Sequence, residues 1–308
     1  MAKPSAPPRA NQLYLYVNER QRKAVQSCAP GILLHIKKAV ESAGWQCGLR
    51  SVADSAKSGD SEKNTFHILL NKEIIGPSSL NLRRCYFAPF WRIEDSNDRW
   101  NFQVASRIFD PSEIPLADAE TFRDRWQHSF WGNREITREG FIFMPLQGKL
   151  TTRRHFQSLS PLEMIEATLS HDTARHIQAT LHPDEVYSDE ELAWLKKMEL
   201  QNQRFILSET PSVDLLLRCD YTVTENSGMS LIGYFAHKPA VLFAEIDFHH
   251  AAGSVPRVGI EAAFAHARSD IPFSRYLFWF FRKNALNGGA NDIEVQILSR
   301  LREHGWPI

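Results

Sequence analysis

Histidine, carboxylate and small polar residues recur in this sequence directly after short apolar runs. The run 141–146 is followed by Gln147, 177–181 by His182 and Pro183, and 205–207 by Ser208 and Glu209. The run 221–224 is followed by Glu225, Asn226, Ser227 and Gly228, and 240–244 by the stretch from Glu245 to His250. In an open parallel sheet the ligand lies outside the carboxyl ends of the strands, so these positions are where chemistry is expected. The turn Thr224-Glu225-Asn226-Ser227-Gly228-Met229-Ser230 runs straight into a helical pattern. Backbone N–H groups at a helix start, with the Ser227 and Ser230 hydroxyls beside them, can hold phosphate oxygens; the same residues also make an ordinary helix cap. His182, in a loop fixed by Pro183, is suited to donate to a phosphate or to act as a general acid at a leaving group. A lone loop histidine is otherwise simply solvated.

Three further segments carry reactive residue types. The stretch Trp91-Arg92-Ile93-Glu94-Asp95-Ser96-Asn97-Asp98-Arg99-Trp100 offers Glu94 and Asp95 as carboxylates for deprotonating a hydroxyl, or forms a charged surface loop. Its tryptophans also match the apolar faces of sugar rings. Asp247-Phe248-His249-His250 contains metal-ligand types, but no third ligand follows at a convincing spacing and no metal is expected. Glu245 or Asp247 can instead accept from ribose hydroxyls. The run Tyr276-Leu277-Phe278-Trp279-Phe280-Phe281 is apolar all round, which suits a buried helix better than one lying on a membrane surface.

These residues need a scaffold, and after Gly140 the pattern supplies one. Five short apolar runs alternate with helical segments, as in βαβ units of a parallel sheet. Ser160-Pro161-Leu162-Glu163 and Ser188-Asp189-Glu190-Glu191 are capping boxes, and Thr210-Pro211 reads as a third helix start. Further helices are expected at 229–236, 258–267, 274–286 and 292–304, the last ended by Gly305. Upstream, residues 1–12 read as a flexible tail, 31–43 as a helix and 67–70 as a strand, while 81–131 is too irregular to assign. The expected organisation is a tail at 1–12, an N-terminal domain at 13–135 and a C-terminal domain at 136–308.

Composition narrows the class. Thirty-six basic residues balance 36 acidic ones over 308 residues, so no global field favours nucleic acid. Four cysteines without a CxxC pair suggest neither a zinc site nor a disulfide framework, and a cytoplasmic setting is expected. The first ten residues lack the apolar core of a secretory signal, and no apolar run approaches the roughly 20 residues that cross a bilayer.

The series Pro145-Leu146-Gln147, Leu181-His182-Pro183, Asp220-Tyr221-Thr222-Val223-Thr224-Glu225-Asn226-Ser227 and Lys238-Pro239 resembles the capsule polysaccharide biosynthesis protein family, which includes Kdo-transferase-like bacterial glycosyltransferases. The resemblance covers about 140–250 and implies that 13–135 is an acceptor-side domain and 136–308 a nucleotide-sugar-binding domain. It implies a GT-B-like α/β fold, with a parallel Rossmann-like sheet in the C-terminal domain and a smaller, irregular α/β N-terminal domain. It also implies metal-independent transfer from a nucleotide sugar, CMP-linked by preference, to a saccharide or lipid-linked saccharide acceptor, without a cofactor and with at most peripheral membrane contact. Gln147, His182, Pro183, Glu209, Asn226, Ser227, Gly228 and Ser230 then fall on the donor, and Glu94, Asp95 and His182 are the catalytic candidates. The alternative reading is a non-catalytic nucleotide-sugar or polysaccharide-binding protein of the same fold.

Overall fold

The computed structural model describes residues 11–57 and 64–308; most of the expected tail, residues 1–10, lies outside them. The chain forms two compact units, Met1–Ser106 with Phe281–Ile308, and Arg107–Phe280.

In the first unit β1 (Gln12–Val17) opens the sheet, placing Leu13, Leu15 and Val17 in the core. After β1, Asn18 and Gln21 form a reciprocal cap for the helix Glu19–Gln26. The helix Ile32–Ser42 follows, burying Ile32, Ile36, Ala39 and Val40 at helical spacing. β2 (Gln46–Ser51) and β3 (Thr65–Leu70) both pair parallel to β1. β4 (Ser79–Arg84) pairs parallel to β3, and β5 (Phe90–Glu94) runs antiparallel to β4.

The second unit is the regular one. Its strands are β6 (Phe141–Pro145), β7 (His176–Thr180), β8 (Phe205–Leu207), β9 (Tyr221–Thr224), β10 (Ala240–Leu242) and β11 (Gly253–Ser254). All pairings are parallel, in the order β11-β10-β9-β6-β7-β8. That order winds outward in both directions from β6 and β9, the arrangement that opens a ligand crevice at their carboxyl ends. Both capping boxes read from the sequence are formed, Ser160 with Glu163 ahead of Pro161–His171 and Ser188 with Glu191 ahead of Asp189–Gln201. Gly253 has the carbonyl of Ala263 against its Cα, so no side chain fits there.

The chain then returns to the first sheet, where β12 (Leu286–Asn287) pairs antiparallel with β5. The helix Ile293–Glu303 buries Ile293, Ile297 and Leu301 in the core that holds Leu13 and Ile36. Each such side chain contributes about 1.5–3 kcal/mol. The division therefore differs from the one expected at 135 and 136. The helix Leu116–Trp131 belongs to the second unit because Phe122 packs on Phe235 and Phe278 there, and 281–308 belongs to the first. The first unit also carries a complete six-stranded mixed sheet, more regular than its sequence suggests.

Three local expectations change. The third helix starts at Ser212 with Pro211 as its N-cap residue, and Thr210 makes no cap bond to it. The segment 258–267 is broken at Gly259, whose φ of 80° ends Val255–Val258 before Ile260–His266 begins. The apolar run ends Phe273–Leu277 and continues as a π-helical segment, Phe278–Lys283, with Tyr276, Leu277, Phe280 and Phe281 fully buried. No described helix is long and apolar enough to cross a membrane.

Candidate active site

The carboxyl ends of β9, β6 and β7 are tied together by hydrogen bonds. Thr224 Oγ1 donates to the Pro145 carbonyl at 3.0 Å, and the Leu146 N–H donates to Thr180 O on β7 at 2.8 Å. Gln147 leaves β6 at this point, half-buried, and is followed by Gly148, where a Cβ would run into the Glu185 carboxylate. His182 leaves β7, exposed; its N–H donates to the Tyr187 hydroxyl at 2.9 Å, and the Asp184 N–H donates to its Nδ1 at 3.2 Å. Because Nδ1 accepts, the ring proton of the neutral imidazole sits on Nε2, a donor left for a ligand. Pro183 holds the exposed loop.

After β9 the turn behaves as a cap. Ser227 is the N-cap residue of Gly228–Gly233 and accepts the Met229 N–H at 3.3 Å, while Asn226 Nδ2 donates to the Glu245 carbonyl at 3.4 Å. Ser230 is fully buried, and its hydroxyl accepts from Thr222 Oγ1 at 3.0 Å, so it packs the helix onto the sheet instead of facing a ligand. Glu209, exposed, follows the edge strand β8, two strand positions and about 10 Å from β6.

Glu225 stood among the strand-end residues of the sequence but received no role there. It is 1% exposed, and neither carboxylate oxygen has a hydrogen-bond partner. Burial pushes its carboxyl up to about 8, against the pull of Arg154 and with the help of Glu163. A segment of the loop after β6 reaches the same strand ends. The Glu245 N–H donates to Phe156 O at 2.9 Å, Gln157 bridges to Ala244, and the Ala244 N–H donates to Glu225 O at 3.0 Å. Arg154 Nε and Nη2 and Gln157 Nε2 are buried there without partners. A protonated carboxyl, a guanidinium and an amide with unused capacity form a polar cluster suited to hydroxyl and phosphate oxygens. Its sequence signal was its place directly after an apolar run, a charged residue closing an otherwise uncharged strand.

Glu94 and Asp95 belong to the other unit. Glu94 ends β5, 1% exposed, and accepts the Gln103 N–H at 2.9 Å; burial raises its carboxyl, opposed chiefly by Arg92. Asp95, one residue on, is exposed. Among the described residues no group of three His, Cys, Asp or Glu side chains is placed to hold a metal ion. His249 instead donates from Nδ1 to Ile246 O at 2.9 Å, and burial brings it down to about 4, while His250 stacks on it at 4.0 Å.

Two α/β sheets, one wholly parallel with its strand order reversing between β6 and β9, define the GT-B-like class. The fold is similar to that of the beta Kdo 2,7 transferase of Thermosulfurimonas dismutans KpsC, with a TM-score of 0.50 and 13% identity over 95% of this chain and 99% of that one. The beta Kdo 2,4 transferase of the same KpsC aligns with a TM-score of 0.43 and 12% identity over 86% and 88%. The wall teichoic acid polymerase TagF aligns at 0.29 and 10% over 95% and 89%. No protein-family model and no curated protein matches the sequence.

Proposed function

We propose that the protein is a glycosyltransferase that moves a sugar from a nucleotide-sugar donor, CMP-linked by preference, to a saccharide acceptor in capsule or surface polysaccharide synthesis. The observation that carries this reading is the placement of Gln147, His182, Glu225 and Ser227 just past the carboxyl ends of β6, β7 and β9, the adjacent strands at the reversal of strand order. The fold shared with a protein described as a beta Kdo 2,7 transferase supports it.

In this reading the acceptor hydroxyl attacks the anomeric carbon and the bond to the nucleotide phosphate breaks. His182 Nε2–H and the N–H groups of the Asn226-Ser227-Gly228 turn meet the charge left on the phosphate, without a metal. Gln147 and Glu225 hold donor hydroxyl or base groups, Pro183 fixes the histidine loop, and Glu209 lines the outer end of the site. The acceptor proton goes to a carboxylate base. Asp95 suits this better than Glu94, which is already held by the Gln103 N–H.

Calorimetry of the full chain with CMP, UDP and GDP tests the donor site. CMP binding is expected, with at least a tenfold weakening, about 1.4 kcal/mol, in a folded H182A variant. Absence of heat with all three nucleotides overturns the reading. The burial of Glu94 favours a second reading, a nucleotide-sugar-binding protein without transfer. If D95N binds CMP and hydrolyses or transfers a CMP-sugar at the wild-type rate, Asp95 is not the base.

A further inference from the structure

The opposite edge of the second sheet holds a cavity of about 530 Å³ that the donor site does not use. It is lined by the residues leading into β6 and β10, including Thr137, Arg138, His237 and Lys238, together with Arg123 and Asp124 from the helix Leu116–Trp131. Those segments lie at the amino ends of parallel strands, so a strand length of about 15 Å separates them from Gln147 and Glu225.

The cavity is cationic by construction. Arg123 Nη1 donates to His237 Nε2 at 2.8 Å and to Ser274 Oγ at 2.9 Å, and its fork also grips Asp124. Arg138 Nη2 donates to the His237 carbonyl at 3.1 Å, and no described carboxylate pairs with it. Lys238 is 1% exposed; its ammonium is held by the carbonyls of Thr137 and Cys219, again with no carboxylate in contact. An arginine can only donate, so His237 Nε2 accepts and the ring is neutral with its proton on Nδ1. Burial, then Arg123, lowers its proton affinity accordingly. His237 also sits in the left-handed region, with φ 53° and ψ 35°, a conformation costly for a residue with a side chain. That backbone brings its ring to one guanidinium and its carbonyl to the other.

Among the lining residues three cations thus meet one carboxylate; Glu139 and Asp220 also act on Lys238 but are paired with Arg218 and Arg175, and the buried ammonium gains from any further anion placed near it. We infer that this cavity is a second ligand site that binds a phosphate group, as a phosphomonoester dianion on a saccharide-sized molecule, between Arg123 and Arg138. Its charge matches the two unbalanced cations, and the two guanidinium forks match its oxygens. The inference goes beyond the proposed function and does not depend on it.

The test uses the full chain, calorimetry and thermal melting with inorganic phosphate and with glucose 1-phosphate, at constant ionic strength set with sodium chloride. R138Q removes a guanidinium bound only to a carbonyl, and R123Q removes the other fork. Glucose 1-phosphate is expected to raise the melting temperature of the wild type and of H182A by about 3 °C at saturation. R138Q is expected to weaken binding about tenfold while melting within about 1 °C of the wild type without ligand. A phosphate response equal in wild type, R138Q and R123Q overturns the site, and so does a response that disappears in H182A alone, which places the phosphate in the donor crevice. Vesicles of phosphatidic acid in phosphatidylcholine decide the source. Binding that R138Q removes assigns the phosphate to a lipid, whereas glucose 1-phosphate binding without vesicle binding assigns it to a soluble ligand. Loss of CMP binding with this response retained overturns the donor reading alone.

Discussion

Thr224 Oγ1 donates a 3.0 Å hydrogen bond to the carbonyl of Pro145, joining β9 to β6 where the strand order reverses. The pair is fully buried, so T224V leaves a carbonyl lone pair unused in a dry place. A loss of about 1–2 kcal/mol in urea unfolding is expected, with a weaker CMP response because Gln147 and Glu225 hang from the two strands. Unchanged stability and unchanged binding together show that the bond does not set the crevice.

Glu225 makes the stability of the free protein depend on pH in an unusual window. Its folded carboxyl titrates near 8 against an ordinary 4.5, so the folded state holds a proton that the unfolded chain gives up. The stabilising share is fully present below about 4.5 and is lost as pH rises through 8. E225Q keeps the shape, removes the titration and is expected to be more stable than wild type at pH 7 by on the order of 2–4 kcal/mol. Urea midpoints between pH 5 and 8.5 check this: the wild type slopes downward and the variant stays flat. Parallel slopes refute the burial argument, and tighter CMP binding by E225Q removes the residue from the donor site.

Asp172 acts in the opposite direction. It is 2% exposed, and it accepts from Tyr221 Oη at 2.8 Å, from Arg175 Nη1 at 3.0 Å, and from the N–H groups of Ala174 and Arg175. Burial raises its carboxyl, but the bonds from Tyr221 and Arg175 win and hold it below its ordinary 3.8. Its contribution is present above that ordinary value and is lost as pH falls through the folded one. D172N is expected to cost about 2–4 kcal/mol at pH 7 and to flatten the acid limb of the stability profile between pH 5 and 3. An acid limb of wild-type steepness in D172N assigns the acid transition to other carboxylates.

Glu191 serves two structures at once. It closes the capping box with Ser188, and its other oxygen accepts the Leu150 N–H in the loop after β6. S188A loses only the cap, about 1 kcal/mol. E191A also strands a buried N–H and is expected to lose about 2–3 kcal/mol, with faster hydrogen exchange at Leu150. Equal losses in the two variants show that the Leu150 bond contributes nothing.

The parts of the fold that were legible in the sequence are those written locally. Ser160 with Glu163 and Ser188 with Glu191 lie three residues apart and announce their helices without help from the rest of the chain. β4 was hidden because its strand reads as polar: Asn81 is fully buried, and its Nδ2 donates to Ser96 O and Asn97 Oδ1, fifteen and sixteen residues away. β1 was hidden because its leucines alternate with Tyr14 and Tyr16, and it directly follows the proline-rich leader. The site divides in the same way. His182 and the Ser227 turn stood out from neighbours in sequence, whereas Glu225 owes its raised carboxyl chiefly to burial, which the loop segment holding Phe156 and Gln157 helps to bring about by reaching the strand ends.

The return of 281–308 to the first unit has a consequence for how the protein is made. Synthesis runs from the amino end, and domains ordinarily fold in the order in which they leave the ribosome. Here that order is inverted. The second unit has every one of its strands once residue 280 is out. The first, begun earlier, still lacks β12 and the helix that carries Ile293, Ile297 and Leu301. A nascent chain therefore completes its later half first, and a stop codon just after residue 280 spares that half while leaving the older one with an open core and an unpaired edge on β5.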